Sequence, residues 1–473
     1  MSNPCLATDS YKLSHFQQYP SGTTLIQSHI TARGSNIPGV EEVVLFGVQA
    51  FIRDHLTTPI TLADVDAAEV FCKKHGFEFN RAGWERVVKV HGGMLPIVIR
   101  SAPEGTPIPL KEAMVVVENC DEELPWATSY VETLLLSYVW YGSTVATLSR
   151  EVKKVIKSYG YTMDDPDSEI PFKLHDFGYR GVAAGAAGLG GAAHLINFLG
   201  TDTIAGIEFA QKYYGADVCG FSIPASEHST MTSWGEPNEY DAYKNMVDQY
   251  AKPGAIFACV IDSYDIDNAL KLWAQVEDDS GQTLLERVQR AGATVVLRPD
   301  SGDAVETPIN VIEQLMQYVG YEVNTKGYRV LPKFVRVIQG DGIDIYDVGK
   351  ILNGLAGKGI SASNIAFGMG GGLLQKVNRD TFKFAMKANM AVINGEEHDV
   401  RKHPKGDPSK ASKGGWQHLY RNKVTGQLKS FYFMELPKNE DHANWQSCMR
   451  PVYVGAPLRT ISFDEIRKNA ELK

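Results

Sequence analysis

The run NIAFGMGGGLLQK brings a strand to Phe367, then turns through Gly368, Gly370, Gly371 and Gly372 toward a helix expected near Leu373. Bare backbone N–H groups at a helix start form an anion site, and missing Cβ atoms let a phosphate come close. The spacing is not the G-x-x-x-x-G-K-S/T of a P-loop. Upstream, VVLRPDSGD places Arg298, Asp300 and Ser301 at one strand tip, and VRVIQGDGID places Arg336, Gly340 and Asp341 at the next. The guanidinium fork matches phosphate oxygens, while Asp accepts from ribose hydroxyls or holds Mg2+ through water. Either tip alone reads equally well as a structural ion pair. Two successive tips combining base, acid and glycine point instead to a site for a phosphorylated sugar.

GFSIPASEHST sets His228 beside Glu227, just after a proline-containing strand end. A lone histidine is more often structural than catalytic, and the strand-tip position shifts this one toward catalysis. Neither H-E-x-x-H nor a Cys/His cluster offers a zinc site. No G-x-S-x-G elbow supports acyl transfer. GLGGAA, residues 188–193, fits the letters of G-x-G-x-x-A, but AAGAA precedes it rather than a strand, so the dinucleotide reading fails its context. A small-residue helix packed closely on a neighbour is expected there.

These residues need a scaffold that gathers strand tips. From about Pro171 the chain repeats one grammar: a short apolar strand, a polar or glycine-rich tip, an amphipathic helix. FKLHDFGYRG, FLGTDTIAG, GFSIPASEHST, AIFACVIDSYD, ATVVLRPDSGD, KFVRVIQGDG and NIAFGMGGG are the strand-plus-tip pieces. Between them, Ile309, Ile312, Leu315, Met316 and Val319 fall at helical spacing behind Thr307 and Pro308, which suit an N-cap and a first turn. Ile345, Val348, Leu352 and Leu355 mark another helix, capped by Asp344 and ended by Gly357. Consecutive βα units either close into a barrel or lie in an open doubly wound sheet. The barrel is favoured because nearly every tip is polar or charged, as when all C-terminal ends share one mouth. An open sheet collects ligands at one switch point. Before this region, LPIVIRSAPEGTPIPLKEAMVVVEN reads as paired antiparallel strands and Glu132 to Arg150 as a buried helix leading out. The expected fold is α/β: an irregular (β/α) barrel over residues 151–380, with an α+β domain over 1–150 completed by the loop-rich segment 381–473, a tail that packs back on that first unit.

A chain of 473 residues exceeds what one core supports. Its formal charge of −9 argues against a nucleic-acid or anionic-membrane partner, which needs a field of Lys and Arg. The six cysteines are scattered, with no C-x-x-C pair, as reduced thiols of a cytoplasmic protein would be. No signal peptide is expected. The most span-like stretch, residues 181–200, is rich in Gly and Ala and interrupted by His194 and Asn197.

HDFGYRG, FLGTDTIAG, PASEHST, DSYDI, RPDSG, RVIQGDG, FGMGGGLLQK and NRD occur in this order between an opening ATDSYK and a closing SFDEIRKNA. The ordered set closely resembles the nicotinamide phosphoribosyltransferase family nearly end to end, and GTDT with PASEHST separates that family from more distant phosphoribosyltransferases. The resemblance implies a type II phosphoribosyltransferase fold and a homodimer whose active sites borrow residues from the partner. It implies nicotinamide and phosphoribosyl pyrophosphate as substrates, Mg2+ as cofactor and ATP as co-substrate. Phe177 and the partner subunit's Tyr11 would sandwich the pyridine ring, Asp202 would accept from the carboxamide N–H2, and Arg180 would flank ring and phosphate. Ser222 joins this substrate-binding set. Arg298 and Asp300 would hold the pyrophosphate and ribose side, Gly340 and Asp341 the ribose, and Gly370 and Gly371 the 5′-phosphate. Arg379, Lys387 and Lys410 would reach the phosphates from the partner. His228 would be the phosphorylated histidine and Asp265 its orienting carboxylate, so that His228, Asp265, Arg298 and Asp300 form the catalytic set.

This chemistry requires no serine or lysine nucleophile, because the pyridine nitrogen attacks an oxocarbenium-like ribosyl carbon. Ala385 and Ile261 depart from vertebrate family members, which carry hydroxyls there. Two other readings stay open: a nicotinate phosphoribosyltransferase, and a catalytically silent ligand-binding protein on the same fold. Asp202 opposes the first, because a carboxylate only accepts hydrogen bonds. His228, Asp265, Arg298 and Asp300 together oppose the second.

Overall fold

A computed structural model describes residues 3–340, 342–402, 406, 412–432 and 443–472. The first unit is built on β1 (Thr23–Ala32), β2 (Glu42–Val44), β3 (Ile97–Ser101), β4 (Pro107–Pro109) and β5 (Val115–Asn119). β3 pairs antiparallel with β5, Ile97 opposite Asn119, and β5 with β1, Gln27 opposite Glu118. The pairing that the Pro-Glu-Gly break predicts between the two hydrophobic runs is therefore present. From this unit runs the helix Glu132–Ser158. Its start places Leu135, Leu136 and Val139 in the first unit's core, and its remainder places Val145, Val152 and Ile156 in the core of the second. Burial on both sides explains why the helix lacks a polar stripe until its last two turns, where Lys153, Lys154 and Lys157 emerge. Its interior hydroxyls accept from the edge of the first unit instead: Thr147 Oγ1 from Val44 N–H at 2.8 Å, Ser143 Oγ from Phe46 N–H at 3.0 Å.

The second unit contains β6 (Leu174–Asp176), β7 (Gly200–Thr201), β8 (Ile256–Val260), β9 (Thr294–Arg298), the small hairpin β10 (Glu322–Val323) and β11 (Arg329–Val330), then β12 (Val335–Gln339) and β13 (Ile365–Met369). Six of these form one parallel sheet in the order β7-β6-β13-β12-β9-β8. The run 221–225 joins the two edges, with Phe221 bridging Gly200 and Ala225 bridging Ala258, both parallel. Pro224 has no N–H to give, so this closing segment makes single bridges rather than a ladder. The result is an irregular barrel with all strand C-termini at one mouth, as the polar tips predict.

Two helices show why the GLGGAA run is not a nucleotide loop. Helix Ala187–Leu195 lies on helix Ile204–Tyr214 so closely that a Cβ on Gly191 would sit 2.9 Å from Gly206 Cα. Helix Glu306–Val319 begins ahead of the expected Thr307 cap, because Asp303 Oδ1 accepts the Val305 and Glu306 N–H groups. Asp344 caps helix Ile345–Gly357 as expected, in a reciprocal box with Asp347.

The C-terminal segment contributes to both units. β14 (Phe384–Ile393) pairs with β1, β15 (Glu396–Asp399) extends it, and β16 (Gln417–Asn422), β17 (Leu428–Tyr432) and β18 (Trp445–Ser447) form a separate antiparallel sheet. β19 (Arg450–Val454) pairs with β3. The last helix, Phe463–Ala470, bridges the two units: Phe463, Ile466 and Ala470 join the barrel core, Arg467 donates to the carbonyls of Leu195 and Cys219, and Asn469 donates to Glu104 O of the first unit at 2.9 Å. Among the described residues no helix is long and apolar enough to cross a membrane.

Candidate active site

The barrel mouth collects one polar group from almost every strand end. After β6 comes Phe177, whose N–H donates to Met369 O at 3.1 Å and whose ring lies over the backbone of Gly368 and Gly340. A Cβ on Gly368 would overlap that ring. After β7 comes Asp202, whose N–H donates to Asp176 O at 2.9 Å. The Ser222 hydroxyl, on the closing segment, donates to Asp202 Oδ1. Among the described residues the other carboxylate oxygen has no hydrogen-bond partner, so it is available to a ligand. Ring and acceptor thus stand on neighbouring strand ends.

Arg298 ends β9, with its guanidinium 3.6 Å from Asp300 Oδ2. His228 opens the short helix His228–Thr232 after the closing segment. Its Nε2 lies 3.0 Å from Asp262 Oδ1 and its Nδ1 3.9 Å from Asp300 Oδ2. The residue expected to orient this histidine, Asp265, does something else: its Oδ1 accepts Asn268 N–H at 2.9 Å and caps helix Ile266–Ala274. The orienting contact belongs to Asp262, whose side chain is only 3% exposed. The sequence carried the signal, since Asp262 stands two residues past the end of β8, where tip residues belong.

Arg336 also needs correction. It is the second residue of β12, at the foot of the strand, and its guanidinium donates to the carbonyls of Leu331, Pro332 and Val335. About four residues of strand, ~13 Å at 3.3 Å each, separate it from the Gly340 tip. Gly340 itself is at the mouth, while Asp341 and Lys410 lie outside the described residues. Gly370 precedes a single helical turn, Gly371–Leu374, that starts two residues before the expected Leu373. Arg180 lies exposed in the short turn after Phe177.

Tyr11, Arg379 and Lys387 belong to the first unit and its extension. Tyr11 is 57% exposed, packed edge-on to His15, and Arg379 and Lys387 are exposed. Among the described residues no hydrogen bond or ion pair links their side chains to the mouth.

Below the mouth the barrel is hollow. A cavity of about 500 Å3 runs from Phe177, Asp202 and Arg298 down to Phe172, Lys173 and Arg336. Barrel interiors are ordinarily filled by branched side chains, but here Ala225, Ala258 and Ala366 line the lumen and leave it open. Lys173 closes the base, donating to the carbonyls of Ala362, Ser363 and Ile365, and burial pushes its ammonium down to about 8. No single motif marks this space, because its walls come from different strands.

One consequence can be measured directly. Gly368→Ala is expected to displace the Phe177 ring, and an aromatic stack worth about 1 kcal/mol converts to a rise of about fivefold in KM for an aromatic substrate. KM for a phosphorylated co-substrate bound at Arg298 should change little. An unchanged aromatic-substrate KM in the folded variant would remove Phe177 from the site.

A closed parallel barrel with an antiparallel flanking unit and this mouth is the type II phosphoribosyltransferase arrangement. A nicotinate-nucleotide pyrophosphorylase from Pyrococcus furiosus superposes with a TM-score of 0.63 at 15% identity, over 99% of this chain and 94% of that one. Human nicotinic acid phosphoribosyltransferase superposes with a TM-score of 0.56 at 14% identity, over 98% and 93%. Residues 172–440 match the nicotinate phosphoribosyltransferase (NAPRTase) family, and residues 3–99 match the nicotinamide phosphoribosyltransferase N-terminal domain. The nicotinamide phosphoribosyltransferase of Xanthomonas campestris pv. campestris (strain 8004) is 44% identical over all of this chain and 98% of its own length. That of Acinetobacter baylyi is 32% identical over 85% of each. The chain belongs to the nicotinamide phosphoribosyltransferases within the NAPRTase family, and is a pentosyltransferase of NAD biosynthesis.

Proposed function

We propose that the enzyme transfers the phosphoribosyl group of phosphoribosyl pyrophosphate to nicotinamide, releasing pyrophosphate and giving nicotinamide mononucleotide, and that ATP drives the reaction through phosphorylation of His228. The observation that carries the substrate choice is Asp202, an acceptor with one oxygen engaged by Ser222 and the other open in the cavity that Phe177 also lines. A carboxamide N–H2 satisfies that oxygen, whereas a nicotinate carboxylate meets like charge.

The pyridine nitrogen attacks the anomeric carbon as the bond to pyrophosphate breaks, so the protein's task is positioning and charge stabilisation. Arg298 serves the departing pyrophosphate. For the ATP step, an Nε2–H donated to Asp262 leaves the Nδ1 lone pair of His228 facing Asp300 and the mouth. Nδ1 then takes the γ-phosphoryl group and ADP leaves. Among the described residues no three ligand side chains gather round a metal, which suits Mg2+ arriving on substrate phosphates and touching one or two carboxylates. Asp300 would hold it, and the ion would neutralise phosphate charge.

Exposure of Tyr11, Arg379 and Lys387 in the first unit supports a homodimer in which they serve the partner's mouth. Six free cysteines support a reducing, cytoplasmic setting. The deciding experiment incubates the protein with phosphoribosyl pyrophosphate, Mg2+ and either nicotinamide or nicotinate, with and without ATP, and identifies the nucleotide by mass. Nicotinamide mononucleotide formed faster with ATP, with ADP released, is expected. Faster turnover of nicotinate would overturn the substrate assignment, and product formation indifferent to ATP would overturn the phosphohistidine.

A further inference from the structure

The pyridine pocket stands on two loops, the turn after β6 that carries Phe177 and the turn after β7 that carries Asp202, and one buried residue touches both. Asp176, the last residue of β6, is fully buried. Its Oδ1 accepts Gly178 N–H at 2.7 Å, closing an Asx turn around Phe177. Its main-chain carbonyl accepts Asp202 N–H at 2.9 Å. Gly178 is wedged against Leu374, where a Cβ would come within 2.7 Å of Cγ, so the turn has little room to drift.

The second carboxylate oxygen is the informative one. Among the described residues, Asp176 Oδ2 and Thr203 Oγ1 are both buried without a hydrogen-bond partner. The Thr203 hydroxyl still stands near enough to favour the ionised carboxyl. Burial pushes this group up to about 6, with Asp202 adding to the rise. Tyr141, facing it from helix Glu132–Ser158, is itself pushed up by burial and by Asp176. A buried carboxyl with an unpartnered oxygen beside another carboxylate is a poor device for stability, and such unsatisfied groups in a native fold ask for another explanation.

We propose that Asp176 is a positioning residue of the pyridine pocket: its carboxylate fixes the Phe177 turn, and its carbonyl ties that turn to the Asp202 loop, whose Thr203 hydroxyl stands beside the carboxylate. The proposal rests on the nicotinamide reading above. Without the turn, the Phe177 ring no longer lies over Gly368, and pyridine binding weakens. Arg298, at the end of β9, and Asp300, just beyond it, make no contact with this linkage, so binding of phosphoribosyl pyrophosphate is expected to change far less than binding of nicotinamide.

Steady-state kinetics on the full-length enzyme, with melting curves for each variant, tests it. Asp176→Ala removes the acceptor for Gly178 N–H and is expected to raise KM for nicotinamide about tenfold or more, with KM for phosphoribosyl pyrophosphate within about twofold. Asp176→Asn keeps an acceptor for Gly178 and offers an N–H2 to Thr203, so it should bring the nicotinamide KM back to within about threefold of wild type. Thr203→Val is isosteric and decides the matter should Asp176→Ala fail to fold. It is expected to raise the nicotinamide KM about threefold or more, and Thr203→Ser to restore it. An unchanged nicotinamide KM in folded Asp176→Ala or Thr203→Val overturns the proposal. So does an equal rise in both KM values, or a failure of Asn or Ser to rescue. Phe177→Ala and Asp202→Ala, measured alongside, separate the two failures. If they too leave the nicotinamide KM unchanged, the substrate reading fails; if they raise it while the Asp176 and Thr203 variants do not, only the positioning role fails.

Discussion

Asp202→Asn is expected to turn the enzyme's preference from nicotinamide toward nicotinate, read as the ratio of the two kcat/KM values. Two unit charges ~4 Å apart interact by roughly 4 kcal/mol at an effective dielectric near 20. Asp202 is exposed at the open mouth, so solvent screening takes about half of that. About 2 kcal/mol remains, a discrimination of roughly thirtyfold, which grows toward a thousandfold as the bound ring displaces water. Ser222 decides which way the new amide turns. Its hydroxyl donates to Oδ1 of Asp202, so an asparagine keeps its carbonyl there and points its N–H2 at the ligand, where it donates to a carboxylate and meets a carboxamide N–H2 with no acceptor. Nicotinamide should lose efficiency as nicotinate gains it. A ratio unchanged in a folded Asp202→Asn enzyme would show that selectivity lies elsewhere, and Ser222→Ala, which frees the amide to flip, should give a weaker inversion than Asp202→Asn alone when the two changes are combined.

The mouth was legible in sequence because a parallel strand announces its end: Phe177, Asp202, Arg298, Gly340 and Gly370 each follow a short apolar run, and barrel geometry sends all such ends to one side. Legibility failed where position along an element mattered more than its existence. Asp262 and Asp265 flank Ser263 and Tyr264 in DSYD, and both look like tip residues. The structure separates them because β8 stops at Val260, which leaves Asp262 in the mouth, while Asp265 is consumed as the cap of the next helix. Arg336 was misplaced for a related reason: KFVRVIQ is apolar on both sides of the arginine, so nothing in the string marks where β12 begins. The closing segment was legible as a strand piece in GFSIPASEHST, but not as one that makes only single bridges, which follows from the missing N–H at Pro224. The hollow lumen was invisible altogether, because Ala225, Ala258 and Ala366 meet only through the register of three separated segments.

Separating those two aspartates gives the largest expected effect in the molecule. Asp262→Asn is expected to lower the ATP-hydrolysis kcat by about 10^2- to 10^4-fold, the range lost when the carboxylate that fixes a working histidine becomes an amide. The physical reason is the tautomer. An Asp262 carboxylate can only accept, so it holds the proton on Nε2 and leaves the Nδ1 lone pair facing the mouth. An asparagine can present its N–H2 to Nε2 instead, which moves the ring proton to Nδ1 and blocks it. Asp265→Ala removes a helix cap worth about 1 kcal/mol and is expected to lower the melting temperature by a few degrees while leaving ATP hydrolysis within about threefold. His228→Ala should abolish ATP hydrolysis and leave a slow, ATP-independent synthesis of nucleotide. ADP release and the acid-labile phosphate on the protein are the quantities to follow. Loss of ATP coupling in Asp265→Ala with retention in Asp262→Asn would return the orienting role to Asp265 and break the link drawn between the 3.0 Å contact and the phosphorylation step.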